Sequence, residues 1–218
     1  MITAATATLQ KGVVLTAEMR GTVRKWNIDR EDRLAEVVSV QDEGVLGLSV
    51  DRPGFQLMIG TESGRLLYYD LRTGTETEIH EGAAPVCALE HGPRGQMLGV
   101  CYLDGYVELL ARGESGEWES EDIGEVECEP TAIAFAPDGK MAAVIGREGG
   151  VRLFSLTQNQ RRKVEIETGN LPIDSVAFTR EGELLGLGAD PEAIRLWKIR
   201  CEHVRRDFEM DEPVRHAT

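Results

Sequence analysis

Three carboxylates, Asp51, Glu90 and Asp174, fall at or beside the first strand of three successive units of this 218-residue chain. Two acids at a suitable separation are what cleavage of a glycosidic bond needs, one to protonate the leaving oxygen and one to attack or to activate water. Asp51 and Glu90 stand toward the ends of their strands and Asp174 near a start, so first strands running the same way place them at opposite mouths of a shared channel. The histidines are scattered: His91 reads as a turn residue, His203 as rim and His216 as tail, and with His80 they are expected on solvated surfaces. Four cysteines, Cys87, Cys101, Cys128 and Cys201, form no C-x-x-C pair, which leaves zinc or dithiol chemistry without support. Cys87 and Cys101 fall on neighbouring strands where a disulfide is geometrically feasible, but the expectation is small buried thiols in a reducing compartment. No nucleophile elbow, phosphate-binding glycine loop or H-E-x-x-H occurs. No catalytic residue, cofactor or metal is expected.

The elements that would position such groups are written as a repeat. Gly149-Gly-Val-Arg-Leu-Phe-Ser155 returns as Gly21-Thr-Val-Arg-Lys-Trp-Asn27, Gly64-Arg-Leu-Leu-Tyr-Tyr-Asp70, Gly105-Tyr-Val-Glu-Leu-Leu-Ala111 and Glu192-Ala-Ile-Arg-Leu-Trp-Lys198. The large anchors Trp26, Tyr69, Leu110, Phe154 and Trp197 are 41 to 44 residues apart. That period, with several short strands per unit, marks a propeller array. Runs of about five to seven β-favouring residues are bounded by turn signals such as Asp104-Gly105 and Pro137-Asp-Gly-Lys140, and no 3.6-residue periodicity is sustained.

The second strand of each unit is apolar on both faces, as in Leu57-Met58-Ile59 and Ala142-Ala143-Val144-Ile145. Such a strand must be covered on both sides, which a ring of stacked blades provides. Fourth strands are polar, as an outer rim should be. The reading is an all-β, single propeller over residues 1–210, with four-stranded antiparallel blades at about 1–43, 44–83, 84–128, 129–170 and 171–210, and a flexible tail over 211–218.

Ala132-Ile-Ala-Phe-Ala-Pro-Asp-Gly-Lys140 followed by Gly149–Ser155 resembles a WD40 repeat, and Ser175–Gly182 through Ile194–Lys198 resembles a second. Trp26-Asn27 and Tyr69-Asp70 sit where that family has its Trp-Asp pair. The chain departs from the family in lacking the Gly-His pair before each first strand, so the Asp–His–Ser–Trp hydrogen-bond network of the family is not expected to assemble. His80 lies too far upstream of Val86 to fill that place. The family commonly closes with seven blades and often lends its last blade an N-terminal strand; five units without such a strand leave a closed five-blade ring, an incomplete ring completed by a partner or a second copy, or a fragment of a longer propeller.

The composition is that of a globular chain, with 41% hydrophobic and 28% charged residues. A formal net charge of −14 speaks against non-specific binding to nucleic acid, which calls for a basic footprint, and disfavours anionic membranes, so no nucleic-acid or membrane partner is expected. Without a signal-peptide pattern at the N-terminus or a long apolar span, the expected location is cytoplasmic. Acids crowd the rim of the third unit at Glu117, Glu119, Glu121 and Asp122 around Trp118, while Arg161, Arg162 and Lys163 occupy the fourth strand of the next. An aromatic amid acids could receive a basic segment of a protein partner. The resemblance implies a non-catalytic protein-interaction scaffold. Alternatives are a carbohydrate-binding or glycosidase-like five-bladed propeller, since such propellers include glycosidases with acids around the channel, and a subunit that donates blades to a composite ring or homo-oligomer.

Overall fold

A computed structural model describes residues 1–8, 12–27, 34–40, 43–113, 115–148, 150–157, 163–166, 173–188 and 194–197, with the backbone alone for 34–36, 163–166, 174, 187–188 and 194–197. The described residues are all-β. β1 (Ile2–Ala7), β2 (Val13–Glu18), β3 (Thr22–Asn27) and β4 (Leu34–Ser39) form one antiparallel sheet in chain order. β5 (Val45–Val50) to β8 (Thr75–Glu81), β9 (Val86–His91) to β12 (Trp118–Glu125), and β13 (Pro130–Phe135) to β16 (Lys163–Ile166) repeat it, β6 being Gln56–Thr61, β7 Arg65–Asp70, β10 Met97–Tyr102, β11 Tyr106–Arg112, β14 Met141–Gly146 and β15 Val151–Ser155. β17 (Ile173–Phe178), β18 (Leu184–Gly188) and β19 (Ile194–Trp197) make a three-stranded sheet. The expected fourth strand of the last unit, the tail and Gly149 lie outside the described residues.

The first strands β1, β5, β9, β13 and β17 pack side by side in that order, and no comparably close approach of β17 to β1 occurs among the described residues. The sheets thus succeed one another about an axis as propeller blades. Four apolar clusters lie between consecutive sheets. Each blade therefore has a back face toward the blade before it and a front face toward the blade after it. Leu57 and Ile59 of β6 point back onto Leu15, Ala17 and Val23, whereas Met58 points forward onto Leu98 and Val100. This is why second strands are apolar at every position: successive side chains alternate between two junctions and both are dry.

Two local devices recur. The register slips by one residue near the start of β1, β5, β13 and β17, and again between third and fourth strands at Val23/Arg24, Leu66/Leu67 and Val107/Glu108. Bulges at repeated positions add the strand twist that blades need. The repeated glycine after the second strand has φ of 83° at Gly21 and 96° at Gly64 and Gly105. A Cβ there would stand 2.1 Å from Val40 O, 2.6 Å from Gly82 O and 2.3 Å from Val126 O respectively. The glycine carbonyl accepts the N–H of Val40, Gly82 or Val126, which ties the end of the fourth strand to the turn. Close approach also explains Gly99, mid-strand in β10, where a Cβ would meet Ile133 and Phe135 of the next blade at 2.5 and 2.9 Å.

Candidate functional site

First strands line a central cavity of about 580 Å³, with Thr3 and Thr6 from β1, Ser49 from β5, Glu90 and His91 from β9, and Thr131 from β13. Glu90 is half-buried there. Burial pushes its carboxyl up to about 7, against the lowering pull of the Phe135 N–H that it accepts. Asp51 is 3% exposed and spent on its own hairpin: Oδ1 accepts the N–H groups of Phe55 at 2.7 Å and Gln56 at 2.8 Å. Asp51 does not line the cavity, and the side chain of Asp174 lies outside the described residues. Among the described residues Glu90 is the cavity's one carboxylate, and no Phe, Tyr or Trp lines it. The second acid and the aromatic platform that sugar chemistry calls for are not assembled from these residues.

His91 corrects the expectation of a solvated turn histidine. It is the last residue of β9 and 8% exposed. Its backbone N–H donates to Ser49 Oγ at 2.9 Å, and the same hydroxyl stands 2.9 Å from its Nδ1. Burial, with the Arg112 charge adding to it, pushes the imidazole down to about 4, although Asp51 pulls the other way. The neutral ring then accepts from Ser49 at Nδ1 and carries its proton on the buried, unpartnered Nε2. The signal was available: counted back from the turn prolines Pro93 and Pro137, His91 takes the place of Phe135, an apolar first-strand position. Glu90 likewise takes the place of Ser49, counted from the turn glycines Gly95 and Gly54, and the two accept backbone N–H groups from successive blades.

His80 is also drawn inward. Nε2 lies 2.9 Å from Glu108 Oε2 of the next blade, close enough for an ion pair although the ring N–H is not well aligned for a hydrogen bond. Tyr102 OH donates to the same oxygen at 2.9 Å, and burial followed by the Glu108 charge raises the phenol strongly. A histidine that is out of place by sequence distance still bridges two blades. The expected loss of the family's network is likewise incomplete, because Trp26 Nε1 donates to Thr16 Oγ1 at 2.7 Å. Asp70, in the place of the Trp-Asp aspartate, is held down at about 2 by the Arg72 guanidinium and by the N–H groups of Arg72 and Thr73.

On the rim, Glu119, Glu121 and Asp122 are exposed along β12, with Glu117 exposed just before it. Register places Glu119 and Glu121 opposite Ala111 and Leu109, and Trp118 and Asp122 opposite Arg112 and Glu108. Trp118 is half-buried rather than displayed. It packs on the cluster between the second and third blades, and the Arg112 guanidinium lies 5.2 Å from its ring centre and 5.5 Å from that of Tyr68. Lys163 opens β16 on the next blade, while Arg161 and Arg162 lie outside the described residues.

Cys87, Cys101 and Cys128 are free thiols, and Cys87 Sγ donates to Cys101 O at 3.2 Å. The feasible Cys87–Cys101 bridge is not formed. Burial pushes the Cys87 thiol up to about 12 and that of Cys101 well up, so both are inert as nucleophiles. Among the described residues no group of three His, Cys, Asp or Glu is arranged to hold a metal ion.

No protein-family model matches the chain. It is 23% identical over 195 residues to a serine-threonine kinase receptor-associated protein of Gallus gallus, covering 88% of this chain and 53% of that protein. It is 20% identical over 201 residues to WD repeat-containing protein 55 homologs of Drosophila virilis and Drosophila mojavensis, covering 88% of this chain and 38% and 37% of theirs. The chain thus spans about half the length of the first relative and under two fifths of the others. Its fold matches the Cps50 (Swd1) β-propeller domain of Myceliophteria thermophila at a TM-score of 0.75 and 17% identity, covering 99% of this chain and 71% of that one.

Proposed function

We propose that this chain, a β-propeller whose repeats resemble WD40 units, serves as a non-catalytic scaffold holding protein partners on a rigid surface. The observation that carries this reading is where the buried polar groups go. Asp51 caps a turn, His91 and Ser49 tie two first strands, and His80, Glu108 and Tyr102 bridge two blades. These groups are used to hold hairpins and blades together rather than to converge on a shared reacting centre. Relatives described as receptor-associated and WD repeat proteins support the same reading.

The surface we assign to partners is the acidic outer strand of the third blade, Glu119, Glu121 and Asp122, with Glu117 just before it. A net charge of −14 favours a partner with a basic segment and speeds its approach. Unpaired Cys87, Cys101 and Cys128 suit a reducing compartment such as the cytoplasm. We read the units as five blades in an incomplete ring, because they superpose on 71% of another propeller chain and because β17 does not approach β1 as closely as successive first strands approach one another among the described residues.

The test uses a lysine-rich peptide and fluorescence anisotropy. Binding weakens with added salt and falls about tenfold when Glu119 and Glu121 are both changed to Lys. An equal loss from Glu76→Lys and Glu81→Lys, exposed on β8 of the neighbouring blade, would assign the binding to net charge and overturn the rim assignment.

A further inference from the structure

We propose that a notch at the junction of the first and second blades takes an aliphatic side chain of a partner protein that carries an acidic residue beside it. The proposal rests on the scaffold reading above and adds a second surface, opposite in charge to the acidic rim. The notch is a cavity of about 70 Å³ between β2, β3 and the turn before β6. Buried Val13 and Leu15 and half-buried Leu71 line it with the exposed Phe55, and two bases, Lys25 and Arg72, complete the lining.

The same place is filled at the next two junctions. The N–H groups of Leu71, Arg112 and Leu156 donate to the carbonyls of Phe55, Gln96 and Lys140, which marks equivalent residues in three successive blades. The blade before each supplies Lys25, Tyr68 or Leu109, paired across strands with Leu15, Met58 and Gly99. Between the second and third blades the Arg112 guanidinium lies 5.5 Å from the Tyr68 ring centre. Between the third and fourth, Leu109 and Leu156 pack into one apolar cluster. Between the first and second, Lys25 stands in place of the tyrosine or leucine, and the space stays open.

Phe55 is the matching departure. Its equivalents Gln96 and Lys140 are polar, yet Phe55 is an aromatic left 38% exposed. The Arg72 guanidinium lies over its ring, 5.0 Å from the centre, and so borders the notch.

The charges specify the occupant. Arg72 gives Nε and Nη2 to Asp70, at 3.4 and 3.1 Å, which among the described residues leaves Nη1 for a ligand. Among the described residues no acid forms an ion pair with Lys25. Two bases beside an apolar cavity stand out on a chain of net charge −14, and they match a carboxylate carried next to an aliphatic side chain. The small volume admits one side chain of an extended segment, not the row of anchors that a helix face presents.

The test is fluorescence anisotropy with a labelled peptide of alternating Leu and Asp. The full chain binds it, and binds peptides of alternating Leu and Lys or of Ser and Asp about tenfold more weakly or less. Lys25→Tyr introduces the side chain that closes the next junction, and it abolishes binding without lowering Tm. Phe55→Gln carries over the residue of the third blade and weakens binding about tenfold. Because Phe55 is exposed, that variant keeps the test open should Lys25→Tyr fail to fold. Glu119→Lys with Glu121→Lys does not weaken this peptide. Binding that survives both notch variants, or no binding of the Leu–Asp peptide, would overturn the notch; a lysine-rich peptide that still binds the rim would then leave the scaffold reading standing. Equal affinity for the Leu–Lys peptide would rule out the acidic partner. A chain that dimerises, and is returned to a monomer by Lys25→Tyr, would assign the notch to a second copy instead.

Discussion

Ser49 Oγ lies 2.9 Å from both the backbone nitrogen and Nδ1 of His91, so one hydroxyl ties the first strands of two successive blades. The hydroxyl accepts from the main chain and donates to a ring that burial keeps neutral. Ser49→Ala strips partners from two buried polar atoms at once and offers nothing in return. The expected cost is about 1–3 kcal/mol, read as a lower urea midpoint with an unchanged m-value.

Glu90 and His91 titrate in opposition. The folded Glu90 carboxyl sits at about 7 against an ordinary 4.5, so its contribution is present in full below 4.5 and is lost as pH rises through 7. The folded His91 sits at about 4 against 6.5, so its contribution is present above 6.5 and is lost as pH falls toward 4. Between pH 4.5 and 6.5 the two slopes offset each other. Glu90→Gln keeps an acceptor for the Phe135 N–H and removes one slope. It is expected to stabilise the protein by about 2 kcal/mol at pH 8 and to leave stability falling on acidification from pH 6.5 to 4.5. Urea melts of both proteins across that range check the sign, and parallel curves would count against the shifted carboxyl.

Gly105 and Gly116 separate two costs of losing a glycine. Both have positive φ, 96° and 85°. An added Cβ at Gly105 would strike Val126 O at 2.3 Å, whereas nothing lies within 4 Å at Gly116. Gly116→Ala should cost about 1 kcal/mol of backbone strain. Gly105→Ala should cost 2 kcal/mol or more, estimated as strain plus the disturbed Val126–Gly105 hydrogen bond. Equal losses in thermal melts would show that the fourth-strand tie at Gly105 carries no weight.

Trp118 should register in stability before it registers in binding. Its ring covers the cluster between two blades and stacks with Arg112. Trp118→Ala is expected to cost about 1–3 kcal/mol, while Glu119→Lys on the exposed face of the same strand leaves Tm unchanged. An unchanged Tm for Trp118→Ala would restore it as a displayed anchor.

What could be read from residues alone was whatever the local chain dictates. The period of 41 to 44 residues, the short strands, the turns at Gly21, Gly64 and Gly105 and the doubly apolar second strands depend on side-chain alternation and on φ, both properties of a short stretch. What the neighbouring blade supplies could not be read that way. His91 looked solvated beside Gly92-Pro93, yet Ser49, 42 residues earlier, closes over it; Trp118 looked displayed among acids, yet the apolar cluster between two blades and Arg112 take its ring; Asp51 looked available, yet its own hairpin consumes it. Burial and pKa follow from which surface is pressed against which. In a stacked repeat that surface belongs to the adjacent unit, so it was the tertiary structure that decided how these side chains are used.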